Sequence, residues 1–351
     1  MKRFLLVIFS ILAIFGALAA AGCGSTPPFV DTNGARSTPA PNTQAASTPG
    51  DSNEPRIPSP TAEPTPENAT TELSPTEAAE NAPATIESCV QEACTDKGLF
   101  LFDVPIGTGG RRSIDHTSRF GTYRKSTEAV RGAYFLNSSG TPVLAAAEGV
   151  VVVAGDDMQI PYGRYRGAYG NLVLLEHDFP GVSVPLYTLY GHLSQVSVQV
   201  DDHVQVGDEI GSVGMSGDIS GSTLYFEIRY GENNYLAARN PELWLKPLAN
   251  EAGQSTGVLA GRIVDSDGNY LTIQNIILEQ LAGPGQPAID QFYLRTYSGE
   301  SLMGLEPWEE NFAAGGLPAG EYQISFLMDG MQQRVVEVFP DQVTFVTFEI
   351  E

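Results

Sequence analysis

Residues 198–229 read VQVDDHVQVGDEIGSVGMSGDISGSTLYFEIR, and this stretch decides the fold. Val200, Val204, Val206, Ile210 and Val213 stand between Gly, Asp and Ser residues, the spacing of short strands cut by tight turns. The same texture extends upstream through GTPVLAAAEGVVVVAG (140–155), YGNLVLLEH (169–177) and LYTLYGHL (186–193). None of these runs carries a helical period, so the reading is an all-β domain of antiparallel sheets.

The stretch closely resembles the C-terminal core of the lysostaphin/LytM-type zinc endopeptidases, a family that acts on peptidoglycan. Further matches are RFGTYR (119–124), the Gly-Thr-Pro turn at Gly140, the Tyr190-Gly191-His192-Leu193 segment and the Asn240-Pro241-Glu242-Leu243-Trp244-Leu245 ending. The Val-Gly-Asp-Glu-Ile-Gly pattern at 206–211 is also similar to the hammerhead of biotinyl domains, but no lysine stands at a hairpin tip to carry biotin or lipoyl.

The family resemblance implies one Zn²⁺ held by a His-x-x-x-Asp pair and by the second His of a His-x-His pair, with water in the fourth position. The metal would activate that water, and two further histidines would orient it and stabilise the oxyanion. Aligned on the turn at Gly140, the first two ligand positions fall on Val130 and Tyr134. The His-x-His pair falls on Thr223 and Tyr225, fixed in register by Phe226-Glu227-Ile228-Arg229. Of the catalytic set only His192 remains. A valine and two neutral phenols do not make a zinc site, since a free phenol ionises only near pH ~10. No metal or other cofactor is therefore expected. The retained groove is expected to be lined by Tyr134, Tyr190, His192, Thr223, Tyr225 and His177, with Tyr123 nearby. His116 and His203 sit in polar turns without supporting groups.

The flanks set the context. Lys2-Arg3, an apolar run from Phe4 to Ala21 and Gly22-Cys23 have the form of an export signal (residues 1–22), and the cysteine resembles that of a bacterial lipobox, implying lipid attachment at Cys23. Residues 23–88 are rich in Pro, Thr, Ser and acid, almost without large apolar groups, and read as an extended tether. Cys89 and Cys94 form an even pair in an exported segment and suggest a disulfide. The peptidase-like domain is expected over 89–248 and a second β domain over 256–351. The second domain's GRIVDSDG (261–268) and LPAGEY (317–322) resemble the carboxypeptidase-regulatory, transthyretin-like or Ig-like sandwich, with Tyr322 placed as a tyrosine-corner residue.

With 19 basic and 42 acidic residues among 351, the net charge of −23 opposes nucleic-acid binding through a basic patch. The sequence thus points to a lipid-anchored envelope protein, on the outer face of the membrane or in the envelope, whose zinc-less module binds peptidoglycan or regulates a cell-wall hydrolase. The alternative is an active zinc endopeptidase cutting cross-bridge peptides.

Overall fold

In the computed structural model, residues 93–124, 128–297, 302, 304 and 308–351 are described. The export signal, Cys23, the tether and Cys89 lie outside them. Cys94 is disulfide-bonded. Apart from three single-turn 3-10 segments the described residues are strands and loops, so the all-β reading holds. Among the described residues no helix is long and apolar enough to cross a membrane.

Strands β1 (Cys94–Asp96), β2 (Tyr123–Arg124), β3 (Glu128–Ala129), β4 (Ala133–Phe135), β5 (Pro142–Leu144) and β6 (Gly149–Asp156) come first. They are followed by β7 (Asn171–His177), β8 (Leu186–Val196), β9 (His203–Val204), β10 (Glu209–Val213), β11 (Leu224–Tyr230) and β12 (Ala238–Arg239). A nine-stranded antiparallel sheet is built on the path β12-β11-β8-β7-β6-β9, with β4 beside β11 and β10 joining β5 to β8. Its strands are rich in Val, Leu, Ile and aromatic residues because both faces are covered. One face packs Val173, Leu175, Tyr190, Leu224, Phe226 and Ile228. The other packs Val130, Tyr134, Tyr169, Leu172, Leu174, Leu189 and Tyr225.

The C-terminal strands are β13 (Thr256–Asp265), β14 (Ile276–Leu281), β15 (Ala288–Leu294), β16 (Phe312–Pro318), β17 (Gly320–Leu327), β18 (Met331–Val338) and β19 (Val343–Ile350). They make two four-stranded sheets, β1-β19-β13-β16 and β15-β14-β17-β18. Leu259, Ile263, Phe312 and Phe348 from one sheet meet Ile276, Leu278, Ile324 and Phe326 from the other. Asp265 closes the turn before Gly268 by accepting from the Asp267 and Asn269 amides, and Gly268 takes a φ of +82°. Buried Tyr322 donates its hydroxyl to the Pro318 carbonyl, 2.8 Å away and four residues upstream, the contact a tyrosine corner makes.

Two features depart from the expected division into consecutive domains. Cys94–Asp96, placed with the first domain from sequence, pairs antiparallel with β19 at the edge of the C-terminal sheet. In addition, one apolar cluster runs from Phe102, Trp244 and Leu245 to Val258, Ala260, Ala313 and Phe345, so the two β bodies share a core. Long-range pairing of this kind leaves no local pattern in the sequence.

His177 also departs from its expected place. It lies in the Phe102–Trp244 core, edge-on to Phe102 and beside Phe179, and not in the groove. Its Nδ1 is 2.7 Å from the Glu148 carbonyl, which can only accept, so Nδ1 carries the proton. Nε2 then accepts from the Thr188 hydroxyl at 2.7 Å, and Thr188 in turn faces the Tyr190 hydroxyl at 3.0 Å. Burial holds the imidazole neutral, with its pKa lowered to about 4 despite the opposing Glu148 contact. Because the unfolded chain takes up this proton near pH ~6.5, the contribution is fully present above that pH and is lost as pH falls toward 4. At pH 5 the loss amounts to ~2 kcal/mol. Urea titrations at pH 7 and pH 5 should therefore show a fall in stability that is smaller by about that amount in His177→Gln, whose amide can keep one donor and one acceptor; an equal fall in both proteins would refute the assignment.

Candidate functional site

Antiparallel register sets the site. β4 and β11 align Tyr134 directly opposite Tyr225, and β11 aligns Tyr225 with Gly191 of β8 on its other side. Val130 precedes β4, and Tyr169 precedes β7. The Tyr134 and Tyr225 ring centroids are 5.0 Å apart, and Tyr169 stacks on Tyr225 at 5.2 Å with an interplanar angle of 18°. Gly132 makes room for this packing: a Cβ there would lie 2.3 Å from the Phe226 carbonyl oxygen and 2.8 Å from the Tyr225 ring.

His192 completes the cluster by an unusual backbone. Its φ is +63°, a region that non-glycine residues seldom occupy, and its N–H donates to the Tyr169 carbonyl at 2.8 Å. Nδ1 lies 2.8 Å from the Ser216 carbonyl and so must donate, which orients the ring with Nε2 away from that contact. The ring lies parallel to Tyr134 at 6.2 Å and 6.0 Å from Tyr225. The four aligned positions Val130, Tyr134, His192 and Tyr225 thus lie together in the structure.

Beneath them is a carboxylate that the sequence reading passed over. Glu227 is fully buried; its Oε2 accepts from the hydroxyls of both Tyr169 and Tyr225 at 2.8 Å, and its Oε1 accepts from Arg229 Nε at 2.6 Å. Arg229 is itself fixed by the Asn233 side chain at 2.8 Å and the Tyr162 carbonyl at 2.7 Å. Burial, and then the neighbouring Glu227 charge, push the Tyr169 and Tyr225 phenols well above their usual range, so both remain protonated donors.

These residues do not fit zinc. The ion needs three protein donors at ~2.0–2.3 Å. Val130 offers none, the Tyr225 proton is committed to Glu227, and both Glu227 oxygens are engaged by donors. The position is filled by ring packing and by an internal hydrogen-bond network. Among the described residues no group of three or more His, Cys, Asp or Glu side chains is arranged to hold a metal.

Three expected groove residues point elsewhere. Tyr190 is wholly buried on the opposite face, where its hydroxyl accepts from the Ala146 amide at 2.9 Å and its ring packs on Phe226. His177 lies on that side too. Thr223 shares the face of Tyr225, but its hydroxyl donates to the Phe135 carbonyl at 3.1 Å and does not line the depression. Tyr123 lies partly exposed under the Arg295 guanidinium, 5.2 Å from its ring centre.

What opens to solvent above the cluster is a depression of about 40 Å³, a volume on the scale of one or two waters. Its lining includes buried Arg131, 4.5 Å from the Tyr235 ring centre, and its rim the exposed Arg164 and Tyr165, whose hydroxyl donates to Asp218 at 2.5 Å. Such a surface can dock a partner through cationic and aromatic groups, but it does not enclose a substrate.

Comparison with known proteins matches residues 128–237 to Peptidase family M23. The cell division protein DipM of Caulobacter vibrioides is 38% identical over 91 residues, covering 26% of this chain and 13% of that protein. The DD-carboxypeptidase/endopeptidase Mpg of Neisseria meningitidis serogroup B is 38% identical over 98 residues, covering 28% and 19%. The murein hydrolase activator NlpD of Escherichia coli K12 is 32% identical over 109 residues, covering 31% and 25%. The chain thus spans between 13% and 25% of the length of these relatives. The family match and these relatives agree in identifying residues 128–237 as a Peptidase family M23 domain of the lysostaphin/LytM type.

Proposed function

We propose that the M23 domain of this chain works without zinc and without peptide-bond cleavage, as a binding module of the cell envelope that holds peptidoglycan or regulates a cell-wall hydrolase. The observation that carries the reading is the Glu227 network: Tyr225, which stands at one of the aligned ligand positions, and its neighbour Tyr169 turn their hydroxyls inward to a buried carboxylate. The Tyr225 hydroxyl and both Glu227 oxygens are thereby engaged internally. The similarity to a murein hydrolase activator supports the regulatory role. The lipobox-like Cys23 and the acidic, proline-rich segment after it support attachment to a membrane through a spacer.

The binding surface in this reading is the rim and not the tyrosine floor. Exposed Arg164 and Tyr165, with half-buried Tyr235 beside them, offer guanidinium and aromatic groups suited to acidic or sugar-bearing partners, while Arg131 is buried beneath Tyr235. A catalytic reading, favoured by the similarity to a DD-carboxypeptidase/endopeptidase, requires a metal that these donors cannot hold.

Two measurements separate the readings. The purified chain should contain far less than one zinc per molecule, and its melting temperature should be unchanged by a chelator or by added Zn²⁺; stoichiometric zinc, or muralytic activity that a chelator abolishes, would return the catalytic reading. For the rim, sedimentation with purified peptidoglycan, and stimulation of an envelope amidase, should be measured for Arg164→Ala. Losing one charge-assisted contact should weaken whichever response the wild type shows by about tenfold. Tyr225→Phe, which keeps the ring, should instead leave that response intact and cost ~1–3 kcal/mol of stability. If neither response exists in the wild type, or if Tyr225→Phe abolishes it while Arg164→Ala does not, the rim is not the binding surface.

A further inference from the structure

Apart from the tyrosine site, the described residues form a cleft of about 690 Å³, walled by residues 110–116, by the connection after Leu245 and by β16. That volume is within the ~300–1,000 Å³ typical of small-ligand sites. Ile114, Leu245, Leu248 and Val258 give it an apolar lining, and Arg111 and Arg112 stand on its wall.

The two arginines are unusual in a chain of net charge −23. Neither forms an ion pair among the described residues. Each is oriented through Nε alone, Arg111 to the Ser113 hydroxyl at 3.1 Å and Arg112 to the Ile106 carbonyl at 3.0 Å. That leaves both terminal forks for a planar anion, the geometry in which guanidinium binds carboxylate bidentately. The other charges are largely settled: Lys246 pairs with Asp103 at 2.9 Å, and Glu242 is held by Arg119 and by the Gly315 amide at 2.6 Å. Burial first, then Arg119 and, more weakly, Arg111, hold His116 neutral, with its pKa lowered to about 4. Glu251 is the one lining acid with no hydrogen bond or ion pair among the described residues.

The lining also discriminates among anions. No Phe, Tyr or Trp faces the cleft, so it offers no stacking platform for a base. An inorganic anion would leave the apolar lining unused. β16 ends its sheet as an edge strand and presents Gly315 and Gly316 to the cleft, but the Gly315 amide is taken by Glu242, so the cleft recognises a ligand through its arginines and apolar lining and not by strand addition. The chain's own segment 24–88 is acidic but nearly free of large apolar side chains, a poor match for such a lining.

We propose that this cleft binds the C-terminal end of an apolar peptide, with its carboxylate on Arg111 and Arg112 and its side chains on Ile114, Leu245, Leu248 and Val258. The site is separate from the tyrosine cluster and does not depend on whether the M23 domain binds metal.

The test is calorimetric titration of the full chain with Ac-Leu-Val-Leu as its free acid and as its C-terminal amide, extended into the millimolar range. The acid should bind saturably, and both the amide and Arg111→Gln should bind about tenfold more weakly, as loss of a hydrogen bond to a charged group predicts. Arg111 is exposed, so its variant should melt like the wild type; Arg112→Gln gives the second arm. Inorganic phosphate at equal concentration should not displace the peptide. Equal affinity for acid and amide, no saturable binding, or displacement by phosphate overturns the proposal. So does peptide binding that appears only after deletion of residues 24–88, which would make that acidic segment the occupant.

Discussion

A fully buried carboxylate dictates how this site is built. In a low-dielectric interior Glu227 needs a countercharge and hydrogen-bond donors on both oxygens, and leaving either unpaired would cost several kcal/mol. Arg229, two residues along the same strand and on the same face, supplies the charge at 2.6 Å. Tyr169 and Tyr225 supply the donors. Their hydroxyls are thereby withdrawn from the surface, and their rings close the space above. The constraint extends to the backbone, since only a glycine at position 132 lets Tyr225 lie flat against β4.

Strand pairing and turns alone bring the aligned positions together. Tyr134 faces Tyr225 through strand register, and His192 is held against both by a left-handed backbone and the Ser216 carbonyl. Each of these is a property of sheet pairing and turns, and none depends on a bound ion. A shared fold does not fix a use, so function has to be argued from the side chains in the site.

Much of this was legible in the sequence, and the failures have a common cause. The Gly and Val patterning gave the sheets, and the turn at Gly140 correctly placed Val130 and Tyr134 beside Tyr225. From the sequence Tyr190 and His192 are both expected to line the groove. They do not share a face, because the register of β8 shifts against both β7 and β10 and because His192 adopts a φ of +63°. On β11 strand alternation holds, and Tyr225, Glu227 and Arg229 occupy one face in sequence steps of two. A carboxylate between a tyrosine and an arginine on a strand covered on both faces was a readable sign of an internal network. The pairing of Cys94–Asp96 with β19 had no such sign, since nothing local marks a three-residue edge strand whose partner lies some 250 positions away.

The coupling between the two β bodies bears on what the cleft can do. Arg119 and Glu242, from the N-terminal body, form a buried ion pair, and the same Glu242 oxygen accepts the Gly315 amide of β16. Phe120 packs edge-on against Tyr297, and the Phe102–Trp244 cluster continues into Val258 and Phe345. The cleft walls are thus tied by a shared core and a desolvated charge pair, and not by a free hinge. A ligand entering such a cleft need not order its walls, which removes one of the main costs of association. Binding there would also strengthen the contact between the bodies, because the ligand would touch Ile114 and Leu245 on one side and Val258 on the other.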